Sequence, residues 1–80
     1  MTTILFFGKI SDVIGSQITY KFSDSSLNVG QLRSQLSTIH ECPELNDLTI
    51  RVSVNDELVA ETDMVKPIDT IAFLSPFSGG

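Results

Sequence analysis

A single cysteine, Cys42, in 80 residues excludes an intrachain disulfide and with it the stapled architecture of small secreted scaffolds. Positive charge is scarce. Five Lys and Arg stand against ten Asp and Glu, for a net charge of -5. Such a chain is repelled by phosphate backbones and anionic lipid, so neither nucleic acid nor a membrane is expected as a partner. A basic protein surface is the better match. No apolar run approaches the ~18–20 residues that span a bilayer. The opening Met1-Thr2-Thr3-Ile4-Leu5-Phe6-Phe7-Gly8 lacks the basic stretch and small-residue cleavage site of a signal peptide, and a cytoplasmic protein is expected. What is present is a hydrophobic share of 41%, enough for one small folded domain with a thin core but not for a deep enzyme cleft.

Periodicity divides the chain into short elements. Residues 3–10 form a dense apolar run that reads as a strand, central in its sheet because both faces are apolar. Gly15-Ser16 is a turn, and Gln17–Phe22 alternates with Ile18, Tyr20 and Phe22 on one face, a hairpin partner for the first strand. Ser23–Ser26 is a polar loop. Val29, Leu32, Leu36 and Ile39 make one helical stripe. Asn28 and Gln31 approximate a capping box, Leu27 and Leu32 a hydrophobic staple, and Pro43 stops the helix by about His40. Glu41–Asp47 is an irregular connection. Thr49–Val54 alternates with Ile50, Val52 and Val54 inward. Asn55-Asp56 suits a tight turn, Leu58–Ala60 is a short apolar piece, and Thr70–Leu74 is the last strand. One helical stripe needs one sheet face. The expected fold is α+β: a mixed sheet of four or five strands with one main helix across it, the β-grasp or ubiquitin-like architecture. Residues 1–75 would form the domain and 76–80 a tail.

Ordinary catalytic constellations are missing. His40 and Cys42 sit at a helix end, where a cysteine serves as a small apolar plug and a histidine as a favourable charge; the pair lacks a third group to orient a base. Two ligands fall short of a zinc site, so no metal is expected. Neither phosphate-loop pattern, G-x-x-x-x-G-K or G-x-G-x-x-G, is present. The carboxylates are scattered, with no pair suited to general acid and base work. The unusual segment is the end, Pro76-Phe77-Ser78-Gly79-Gly80. Glycines without Cβ atoms can thread a channel too narrow for other residues, and five extended residues reach ~17 Å. That would carry the carboxylate of Gly80 into another protein's active site.

The sequence resembles the MoaD family, the small sulfur-carrier subunits of molybdopterin synthase. The likeness spans essentially the whole chain. It rests on Ile4-Leu5-Phe6-Phe7-Gly8, Val13-Ile14-Gly15, Asn28-Val29-Gly30-Gln31-Leu32-Arg33 and Val54-Asn55. Most specific is Asp69-Thr70-Ile71-Ala72-Phe73-Leu74-Ser75-Pro76-Phe77-Ser78-Gly79-Gly80. Three features depart from the family pattern: Pro67-Ile68 precedes Asp69 where Asp-Gly is common, Ser75 replaces the first of two prolines, and Ser11 stands where some members carry arginine.

The resemblance implies a carrier that is not an enzyme by itself. An E1-like adenylating enzyme would use ATP and Mg²⁺ to convert the carboxylate of Gly80 to an acyl-adenylate. Sulfur would replace AMP to give a thiocarboxylate. The tail, Pro76, Phe77, Ser78 and Gly79, would thread the large catalytic subunit of molybdopterin synthase, and the sulfur would pass to the pyranopterin precursor. This chain would bind no cofactor, and the family assembly is a heterotetramer of two small and two large subunits. Strand parity places Leu74 outward on the last strand and Phe7 on the first; with Leu58 they form an expected partner interface at the base of the tail. Two other readings are compatible with the residues: a sulfur carrier of thiamine or cysteine biosynthesis or a ubiquitin-like modifier, and a β-grasp binding module with an inert tail.

Overall fold

A computed structural model describes residues 2–21 and 27–76. Strand β1 (Thr2–Phe7) is followed by a 3₁₀ turn over Gly8–Ile10 and the one-turn helix α1 (Ser11–Ile14). Then come β2 (Gln17–Tyr20), β3 (Leu27–Asn28), helix α2 (Val29–Ile39), a 3₁₀ turn over Pro43–Asn46, β4 (Arg51–Val54), β5 (Glu57–Val59), β6 (Met64–Val65) and β7 (Thr70–Leu74). The main sheet has the order β2-β1-β7-β4-β5, and β3 pairs with β6 in a separate two-stranded ladder. β1 and β7 run parallel; the other pairs of both sheets are antiparallel. With α2 packed across the five-stranded sheet, this is the expected β-grasp fold, with a second, short helix and the small ladder added.

The core lies between α2 and one face of the sheet. Ile4, Phe6, Val52, Ile71 and Phe73 from the strands meet Val29, Leu32 and Leu36 from the helix, all buried. Phe6 and Phe73 stack with ring centroids 5.5 Å apart across the parallel pair, a contact contributing about 1 kcal/mol beyond its buried area. The Tyr20 hydroxyl donates to Gln35 Oε1 at 2.6 Å and ties β2 to α2.

The helix is capped as its sequence requires. Asn28 Oδ1 accepts from the Gln31 N–H at 2.8 Å, and Gln31 Oε1 accepts from the Asn28 N–H at 2.9 Å, so both halves of the capping box are present. Leu27 and Leu32, at the staple positions, are both buried. His40 is the C-cap. Asn55 and Asp56 have φ of 52° and 71°, the left-handed pair that a two-residue hairpin turn between β4 and β5 needs.

Several expectations require correction. The first strand stops at Phe7 rather than running to residue 10, because Gly8 takes φ of 83° and turns the chain. Ile10 is apolar for another reason: it is buried in the turn. β1 is central by pairing, but only Thr2, Ile4 and Phe6 are buried, while Thr3 and Leu5 are half-buried and Phe7 exposed. The outer face therefore has no covering layer. Ile39 is 57% exposed; it lies at the margin of the stripe in the last turn, and Arg33 and Ser37 complete the buried face instead. The connection after α2 contains the 3₁₀ turn Pro43–Asn46. β4 begins at Arg51, with Ile50 buried just before it. The Ser23–Ser26 loop and Phe22 lie outside the described residues.

Candidate functional site

Register places the outer-face side chains. Leu5 pairs with Ala72, Ala72 with Ser53 and Ser53 with Leu58, so these four form a row across β1, β7, β4 and β5. Phe7 pairs with Leu74, and Leu74 with Arg51, in the next row of the same face. Residues paired in register share a face. The structure thus brings Phe7, Leu58 and Leu74 to one shallow apolar depression, lined also by Leu5, Ser53, Asp56, Thr70 and Ala72. Phe7 is 51% and Leu58 63% exposed, while Leu74 is half-buried. Ala72 is buried although it points outward, because the larger Leu5, Leu58 and Leu74 beside it shade a methyl group. Leu5 and Ala72 extend the patch beyond the three expected residues. Leu5 shares strand parity with Phe7, and Ala72 with Leu74, a signal available in the sequence; that the two sit side by side required the register.

The chain leaves the sheet at the edge of this patch. Ser75 is held by the turn after β1: its N–H donates to the Phe7 carbonyl at 3.0 Å, and its Oγ accepts from the Ile10 N–H at 3.1 Å. Ser11 Oγ donates to the Gly8 carbonyl at 2.7 Å and fixes the same turn. A Cβ on Gly8 would stand 2.8 Å from the Ser75 Cβ, so only glycine fits against the exit. Ser75 thus has work that a proline could not do, since proline has no N–H to donate. Pro76 is exposed. Phe77, Ser78, Gly79 and Gly80, the expected threading residues and attachment point, lie outside the described residues.

Beside the exit lies a second depression, lined by Lys9, Ile10, Asp12, Val13, Glu44, Asp47, Thr49, Ile50, Ser75 and Pro76, about 520 Å³ in volume. Its far wall is organised by the buried side chain of Arg33. The guanidinium donates to the carbonyls of Leu45 (2.8 Å), Asp47 (3.0 Å) and Ile50 (2.8 Å). It also pairs with both oxygens of Glu61, at 3.0 and 2.8 Å, and lies 5.6 Å from the Phe73 ring centroid. Asp47 Oδ1 accepts from the Thr49 N–H at 2.9 Å and hydroxyl at 2.8 Å. These two bonds hold its carboxyl below its ordinary value, in that order, with a smaller contribution from Arg33.

His40 and Cys42 are placed apart in character: His40 is exposed and Cys42 fully buried. Among the described residues, no group of three or more His, Cys, Asp or Glu is arranged to hold a metal. No described helix is long and apolar enough to cross a membrane.

Comparison with known proteins agrees with the geometry. The ThiS family model matches residues 4–80. SAMP1 from Haloferax volcanii superposes with a TM-score of 0.81 at 22% identity, over 99% of this chain and 98% of that one. The complex of subunits 1 and 2 of molybdopterin-converting factor from Helicobacter pylori 26695 matches with a TM-score of 0.64 at 23% identity, over 99% and 97%. The thiamine biosynthesis protein ThiS from Geobacter metallireducens matches with a TM-score of 0.52 at 21% identity, over 98% and 99%. At such identities the three structures share the fold. With the family pattern running from Ile4 through the helix and the last strand to Gly80, the chain belongs to the ThiS family, the β-grasp proteins of the sulfur-carrier type.

Proposed function

We propose that this chain is the sulfur-carrying small subunit of a molybdopterin synthase. The supporting observation is the union of an uncovered apolar patch, Phe7–Leu58–Leu74, with a chain exit pinned at its edge by Ser75. A partner that sits on the patch receives whatever follows Pro76. The remaining Phe77-Ser78-Gly79-Gly80 spans ~13 Å when extended.

The chemistry follows from the reluctance of a carboxylate to be attacked. An E1-like partner spends ATP, with Mg²⁺, to turn the Gly80 carboxylate into an acyl-adenylate, releasing pyrophosphate. A sulfur nucleophile displaces AMP and leaves a thiocarboxylate. In the large subunit that sulfur passes to the pyranopterin precursor, and water restores the carboxylate. The chain supplies placement, and its partners supply the acid–base groups. The Helicobacter pylori neighbour, a complex of subunits 1 and 2, supports a large-subunit partner.

The test is direct. Incubation with the adenylating enzyme, ATP and a sulfur source should raise the intact mass by about 16 Da, oxygen exchanged for sulfur. Deleting Gly80 should abolish the gain, and the loaded protein with the large subunit should convert precursor to molybdopterin. An unchanged mass with an active partner would leave a binding module with an inert tail. The ThiS match favours one other acceptor, the thiazole of thiamine. A gene deletion that abolishes thiamine synthesis and spares molybdoenzymes would select it.

A further inference from the structure

The depression beside the exit shares no lining residue with the apolar patch. Leu74 belongs to the patch and Ser75 and Pro76 to the groove, so the chain passes from one depression to the other as it leaves the last strand. The groove is lined by buried Ile10 and Ile50 and by exposed Val13 and Pro76, and it carries Asp12, Glu44 and Asp47 against the single cation Lys9. Asp47 is held in its charged form by Thr49. Among the described residues, the side-chain carboxylates of Asp12 and Glu44 make no hydrogen bond or ion pair. Both walls are fixed. Arg33 clamps residues 45–50 from behind, and Ser75 and Ser11 clamp the turn that carries Lys9 to Asp12.

We propose that this groove seats a basic side chain, arginine or lysine, of the protein that receives the tail. An aliphatic stem over apolar side chains with a cationic head among carboxylates is the form those residues present. A partner that draws in the carboxylate of Gly80 is expected to be electropositive around its entrance, and the acidic residues of the groove complement that charge. Partner recognition would then have two parts that meet at Leu74 and Ser75, an apolar one at Phe7, Leu58 and Leu74 and a charged one at Asp12, Glu44 and Asp47. The inference rests on the carrier reading for the identity of the partner.

The experiment measures binding of the full chain to the large molybdopterin synthase subunit of the same organism, at low and at moderate salt. The double variant Asp12→Asn, Glu44→Gln should bind about tenfold more weakly at low salt and lose much of the salt dependence. Lys9→Gln, which adds net negative charge to the groove, should bind about twofold to threefold more tightly. A merely damaged surface would not reverse sign in this way. Unchanged affinity and salt dependence in both variants, with the wild-type chain bound, would overturn the groove and leave the carrier reading standing. Failure of the wild-type chain to bind at all would overturn both.

Discussion

At Gly8 the left-handed backbone and the closeness of Ser75 act together, so Gly8→Ala should destabilise the fold by about 2 kcal/mol or more. Denaturant unfolding reads this directly, and a loss under about 0.5 kcal/mol would mean that the exit relaxes freely. Asp47 sets an acid limit on the wall of the groove. Its folded carboxyl titrates below the ordinary 3.8, so the carboxylate form is favoured in the native state. Its contribution is complete above that value and fades as pH falls through the lower native one. Asp47→Asn should therefore be less stable than the wild type at neutral pH, and the two stability curves should converge below pH 3.8. Parallel curves over that range would show that the Thr49 contacts do not act through charge. Cys42 is fully buried and its N–H donates to the Ser37 carbonyl. Cys42→Ser should lower stability by about 1–2 kcal/mol, by burying a hydroxyl, and leave sulfur transfer intact.

At the scale of elements, α2 was the most legible part of the chain. Asn28, Gln31, Leu27 and Leu32 announce a capped, stapled helix, and each sits where that pattern puts it. Asn28→Ala should cost about 1 kcal/mol, checked by the thermal midpoint, and Asn28→Asp should recover most of it. The strands were legible where residues alternate, as at Ile18 and Tyr20 or Val52 and Val54. They were less so where burial has another cause. Ile10 is apolar to plug a turn, and a continuous apolar run does not distinguish that from strand. The β3–β6 ladder escaped reading because two residues on each strand carry no period. The patch was legible from parity, since Phe7 and Leu74 face outward on their strands and Leu58 groups with them; the register that sets all three in one depression needed the sheet order. The groove was not legible, because Asp12 and Glu44 are far apart in sequence and meet only through the packing of two turns. Arg33 looks in sequence like a surface helix residue; its burial depends on three carbonyls that local pattern does not reveal.

For the molecule as a whole, the proposed carrier role assigns the chemistry to the last residues and the placement to the fold. Gly79 and Gly80 follow the last strand in sequence. Gly79→Ala or Gly80→Ala should leave the thermal midpoint nearly unchanged and strongly reduce sulfur transfer. A large fall in the midpoint would mean that these residues contribute to packing. The middle of the sheet is formed by β7, with β1 on one side and β4 on the other. The earliest and latest strands to be synthesised are therefore bonded neighbours. A nascent chain lacking residues 70–74 has no central strand and cannot complete its sheet, and the long loop that closes makes assembly slower than for a helical domain of this size. The sheet thus closes only after residues 70–74 have been made, so acquiring shape is a late event in the synthesis of this domain.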